Sequence, residues 1–103
     1  MSREKVQTLS EPMYYILLAL LEEQCGVDIM NRVRSISNER VTVGPGTLYA
    51  LLDRFLESGI IKETRIEGRR KSYIITDNGR ELLQREHERL WQMAREGDKL
   101  LGK

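Results

Sequence analysis

Residues 44–71 read GPGTLYALLDRFLESGIIKETRIEGRRK. Gly44-Pro45-Gly46-Thr47 opens a helix, because the fixed φ of proline suits a first turn and its missing N–H costs nothing there. Leu48, Leu51, Leu52 and Phe55 then recur on one side at about 100° per residue. Ser58-Gly59 stops the helix, glycine suiting the left-handed position just past a last turn. Ile60 to Ile66 is rich in β-branched residues and reads as a strand. Glu67-Gly68-Arg69 is a turn, and Lys71 to Thr76, with Tyr73, Ile74 and Ile75, is the antiparallel partner.

Upstream, Ser10-Glu11-Pro12 is a helix start, with Ser10 able to cap and Glu11 matched to the positive helix end. Met13, Ile16, Leu17, Leu20 and Leu21 keep helical spacing through Glu23, and Gly26 breaks the pattern. Ile29, Met30, Val33 and Ile36 mark a second helix from Val27 to Ile36. Glu39 to Gly46 is a connector in which Val41 and Val43 alternate as in a short extended piece. Downstream, Thr76-Asp77-Asn78-Gly79 is a cap-rich turn into a long last helix, Arg80 to Leu101.

The fold class is therefore mostly α with a small β-hairpin: a winged helix-turn-helix followed by a long C-terminal helix. The domain reading is a flexible N-terminal arm at 1–9, a winged helix-turn-helix at 10–76 and a dimerisation helix at 77–103.

Composition fits one ordinary folded domain: 103 residues, 40% hydrophobic, 32% charged and a net charge of +1. The longest apolar run, Ile16 to Leu21, is far short of the roughly 20 residues of a membrane helix. With no leader-like start either, the chain is expected in the cytoplasm, without a membrane partner. One cysteine, Cys25, and one histidine, His87, supply neither an internal disulfide nor a metal site. Cys25 precedes a helix start that can stabilise a thiolate, or it is an inert buried thiol. His87 reads as packing or surface. No phosphate loop, metal cluster or nucleophile motif points to an enzyme or a cofactor.

The charge is local rather than global. Between Arg65 and Lys71 stand Arg65, Arg69, Arg70 and Lys71 against Glu67 alone. On the third helix, the face opposite Leu48 begins with Gly46, Thr47 and Ala50, small enough to enter a major groove end-on. Its free N–H groups suit a phosphate. Arg54 shares that face with Asp53 and Glu57, which come where the helix leaves the groove. Tyr49 sits at the edge of the core face, its hydroxyl within reach of a phosphate. Each feature has a plainer reading: a surface helix, a packed tyrosine, a solvated charged turn. Together they favour double-stranded DNA as the partner, read by Gly44, Pro45, Gly46, Thr47, Tyr49, Ala50 and Arg54. Gly68, Arg69, Arg70 and Lys71 would grip the backbone from the wing. The rival class is a winged helix that binds only proteins and has no DNA specificity of its own.

The chain resembles the PadR family of bacterial transcriptional regulators. The resemblance is carried by EPMYYILLALL from Glu11, GVDI from Gly26, GPGTLY from Gly44, LESGII from Leu56, GRRKSY from Gly68 and TDNG from Thr76. It runs from Leu9 to the end and fits the small subgroup with a single C-terminal helix. Val27 departs from the family, which usually has an aromatic there. The resemblance implies a homodimeric repressor on a near-palindromic operator, with the recognition helix in the major groove and the wing on the flanking backbone. It also implies that Tyr14 is directed at the DNA backbone.

The last helix repeats Leu83, Leu90, Ala94 and Leu101, a stripe longer than one small core can cover, so a second copy is the expected partner. Trp91 is either an anchor of that dimer interface or a stacking plate for a small aromatic effector. Its position is one residue off that of drug-sensing relatives, a full 100° of helix rotation.

Overall fold

A computed structural model describes residues 8–103. The elements are α1 (Glu11–Ala19), β1 (Gln24–Cys25), α2 (Gly26–Ile36), α3 (Pro45–Glu57), β2 (Ile61–Glu67), β3 (Arg70–Ile75) and α4 (Asp77–Leu101). The three strands form one antiparallel sheet in the order β1-β3-β2. This is a winged helix-turn-helix with a long C-terminal helix. Of the expected arm, residues 1–7 lie outside the described residues. Leu9 packs against the core rather than fraying.

Each helix start follows from its cap. The Ser10 Oγ accepts the Met13 N–H at 3.4 Å, and the Ser10 N–H donates to the Met13 sulfur at 3.4 Å. Together these close a reciprocal box around the first turn of α1. Gly44 caps α3 with extended backbone and Pro45 takes the first turn. The Thr76 hydroxyl accepts the Gly79 N–H at 3.1 Å and donates to the Gly59 and Ile60 carbonyls at 2.7 and 2.9 Å. That one side chain therefore caps α4 and fastens it to the corner between α3 and β2.

Two local expectations are corrected. Helical spacing carries α1 to Glu23, but the helix ends at Ala19. The Leu20 carbonyl accepts the Ile75 N–H at 2.9 Å, and Gln24 and Cys25 pair with Tyr73 and Ser72. Sheet pairing, invisible in the helical pattern, takes the Leu20 carbonyl and the segment that follows out of the helix. The connector forms no strand at Val41 and Val43. Instead Asn38 and Glu39 take left-handed φ values of 60° and 68°. Buried Ser37 then pins the loop, donating to Val33 O at 2.8 Å and accepting from Val41 N at 3.0 Å. Both valines turn inward as core.

The core is one cluster in which Ile16, Leu17, Leu20, Ile29, Val33, Leu48, Leu52 and Phe55 are fully buried. Ile61, Tyr73 and Ile75 seal it from the sheet, and Leu82 and Leu83 from the start of α4. Beyond Glu86 no residue of α4 is buried. At about 1.5 Å per residue, the rest of the helix projects some 20 Å past the core.

Candidate nucleic-acid interface

The first two turns of α3 are bare. Gly44, Pro45, Gly46, Thr47 and Ala50 are all exposed. A Cβ added at Gly44 or Gly46 would meet nothing within 4 Å. Neither glycine has a left-handed φ, so neither packing nor backbone conformation within the chain demands it. Leu48, Leu52 and Phe55 hold the opposite face of the helix in the core, and this fixes which side is presented.

Two members of the expected reading face behave differently. Tyr49 is 45% exposed, but its ring swings back over the start of α2, where a Cβ on Gly26 would collide with its hydroxyl. Gly26 is thus required by the packing of α3 rather than merely ending a pattern. Arg54 is half-buried, with its Nε out of solvent contact, and does not continue the open face of the first turns.

The wing is a tight hairpin. Glu67 and Arg70 are paired and Gly68-Arg69 makes the turn, with Gly68 at φ +63° where a side chain would be strained. Arg70 and Lys71 therefore lie on β3 rather than in the turn. Register slips between Glu63 and Arg65, leaving Thr64 as a bulge. The basic excess is smaller than the sequence count. Arg65 pairs with Glu23 at 3.6 Å and Glu67 at 3.5 Å, and Lys71 pairs with Glu63 at 3.5 Å. Among the described residues, Arg69 and Arg70 form no ion pair, so the field of the tip is mainly theirs.

Tyr14 is engaged by α4. Its hydroxyl is 3.1 Å from His87 Nδ1 on α4, and its ring meets Tyr15 edge-on at 5.7 Å. Burial, then Tyr15 and Glu86, push its phenol above the ordinary range. Tyr14 lines a groove of about 260 Å³ between α1 and α4 with Leu18, Leu21, Arg80, Leu83 and His87. Next to it, buried Glu86 accepts the Leu9 N–H at 2.5 Å and two Arg89 bonds at 2.6 and 3.1 Å. Arg89 holds this carboxyl below its usual range against the opposing effect of burial, with Leu9 assisting. Sequence spacing puts Glu86 on the inner stripe, but a charged residue there gave no sign of its partners.

On α4, Leu83 is corrected from the dimer stripe to the core, at 6% exposed. Leu90, Trp91, Met93 and Leu101 remain exposed at 40%, 59%, 52% and 73%. Ala94 is exposed between them.

The fold and the exposed α3 start agree with the sequence relationship. Residues 16–85 match the transcriptional regulator PadR-like family. The chain belongs to that family. This PadR-like chain is similar to a PadR-family regulator from Eggerthella lenta, at 30% identity and a TM-score of 0.64, over 85% of this chain and 75% of that one. A PadR-like transcription factor from Bacteroides fragilis gives 29% identity and a TM-score of 0.67 over 85% and 86%. The PcaV regulator of Streptomyces coelicolor, solved with its natural ligand, shares the fold at a TM-score of 0.71, with 21% identity over 88% of this chain and 62% of that one. No curated protein matches the chain.

Proposed function

We propose that this PadR-like protein is a sequence-specific DNA-binding repressor that acts in the cytoplasm as a homodimer on a near-palindromic operator. The observation that supports this most is the bare start of α3. Glycines at positions where a Cβ would meet nothing within the chain leave room for the close approach of a molecule outside it. In a major groove, Gly44, Pro45 and Gly46 let the backbone approach, the free N–H groups of the first turn take a phosphate, and Thr47 and Ala50 face base edges. The wing holds the flanking backbone through Arg69 and Arg70. Residues 10–76 carry the DNA contacts and 77–103 the pairing of subunits. Tyr49 acts indirectly, by seating α3 on α2. Tyr14 and Arg54 are left out of the DNA-binding set.

The test is the double change Arg69→Ala, Arg70→Ala. At about 1 kcal/mol for each phosphate that no longer meets an arginine, affinity should fall about thirtyfold on every duplex tried. The slope of log affinity against log salt should flatten by about 0.9 for each such phosphate. Both are read by fluorescence anisotropy over a salt series. Unchanged affinity and slope would favour the rival, a winged helix that binds only proteins.

Release by a small aromatic effector is supported by Trp91, 59% exposed with the Arg95 guanidinium 5.9 Å from its ring centroid. Planar aromatic compounds should quench its emission and weaken DNA binding together. Quenching with no change in DNA affinity would overturn release, and no quenching would leave Trp91 as an interface anchor only.

A further inference from the structure

Outside α4, the most exposed large hydrophobic side chain among the described residues is Ile66, at 62%. It takes no part in the core cluster. It stands near the end of β2, paired with Lys71. Paired residues in an antiparallel ladder share a face, and alternate residues along an unbroken strand share one too. β3 is unbroken from Arg70 to Ile75, so Lys71 lies on the face of Tyr73 and Ile75, which seal the core. The Lys71–Glu63 ion pair at 3.5 Å agrees, because Glu63 is paired with Tyr73. The bulge at Thr64 shifts the alternation on β2 so that Ile66, not Arg65, joins this face. Without the extra residue, Ile66 would sit one position out of register, on the opposite face.

Ile66 is therefore aimed to the core-facing side of the hairpin, which is the side of α3. Around it stand Arg69 at the apex and, on the same face, Lys71 with its ion-pair partner Glu63, while Arg70, paired with Glu67, lies on the opposite face of the hairpin. An apolar group just behind a hairpin tip whose Arg69 and Arg70 form no ion pair among the described residues suits a narrow, electronegative groove, where the tip cations meet phosphates and the apolar chain meets sugars and base edges. We propose that Ile66 is a minor-groove contact of the wing, setting a preference for A·T-rich flanks beside the operator core. This rests on the reading of the wing as DNA-contacting. The exocyclic amine of a G·C pair stands in the minor groove, where it would meet this side chain; an A·T pair has none.

The experiment uses the full chain. The wild type selects duplexes from a random pool, and binding is then measured on the selected duplex and on one with its flanking A·T pairs changed to G·C. Ile66→Val keeps the branched apolar shape, whereas Ile66→Thr keeps the β-branch and strand propensity but loses the apolar character. Wild type and Ile66→Val should lose about tenfold on the G·C flank. Ile66→Thr should bind the selected duplex about tenfold more weakly and no longer distinguish the flanks. A wild type indifferent to its flanks, or an Ile66→Thr protein that discriminates as the wild type does, would overturn the proposal. The Arg69→Ala, Arg70→Ala protein separates the two failures. If it binds weakly while Ile66→Thr behaves as wild type, only the role of Ile66 falls. If it too binds as wild type, the wing reading itself fails.

Discussion

Changing Leu90 and Leu101 together to Glu is expected to leave a folded monomer with operator affinity at least about a hundredfold below the wild type. Both side chains are exposed in the chain, at 40% and 73%, so neither change opens its core. Glu is a good helix former, so α4 should persist and the monomer stay folded, with its melting temperature lowered only by the stabilisation that the partner subunit supplied. What is removed is the apolar stripe of a helix segment that has nothing of its own to pack against. Without a partner, each winged helix-turn-helix must bind one half-site alone. Linking two binding modules raises overall affinity by about 10² to 10⁴ through effective concentration, and the monomer forfeits that gain. Ultracentrifugation at micromolar concentration reads the first half of the prediction and anisotropy on the operator reads the second. A variant that stays dimeric would move the interface off this stripe. A monomer that still binds with wild-type affinity would separate dimerisation from DNA binding.

Gly79→Ala should be the most damaging small substitution in the chain. An added Cβ would collide with the Ile60 carbonyl oxygen and lie 2.7 Å from Ile75 Cγ1 and 3.0 Å from Ile60 Cγ2. The first of these is backbone and cannot rotate away. The same Ile60 carbonyl accepts the Thr76 N–H and its hydroxyl, both at 2.9 Å, so moving it also loosens the cap of α4. Overpacking of this kind costs about 3 kcal/mol. The better helix propensity of alanine returns about 1 kcal/mol. The net loss of about 2 kcal/mol corresponds to a drop of about 10 °C in melting temperature for a domain of this size. A thermal melt decides it, and an unchanged or raised midpoint would mean that α4 can shift on the sheet without penalty. Where the fold survives, the displaced α4 should alter the spacing of the two reading heads, expected at about 34 Å in the dimer.

Most of the architecture was legible in the chain because its signals are local. Ser10, Pro45, Gly59 and Thr76 punctuate helices through bonds or backbone angles set within a few residues. Leu48, Leu52 and Phe55 recur with the helical period, and Gly68 permits the hairpin turn. These features determined the order of helices, the wing, the exposed small face of α3 and the excess apolar length of α4.

What the sequence could not determine were events between residues distant along the chain. β1 exists because Gln24 and Cys25 find Tyr73 and Ser72, and no helical or alternating pattern announces a two-residue strand. Gly26 and Gly79 look like pattern breakers, but the fold makes them close-approach surfaces, one for the Tyr49 hydroxyl and one for the Ile60 carbonyl. Tyr14 meets His87 across the α1–α4 groove, a contact between residues 73 positions apart. Leu83 left the dimer stripe because the first turns of α4 lie on the core. The bulge at Thr64, a mismatch between two strands rather than a property of either, decided which way Ile66 points. A periodic pattern shows that a face is apolar or small, whereas the tertiary structure decides what meets that face, because burial and pairing are properties of two surfaces at once.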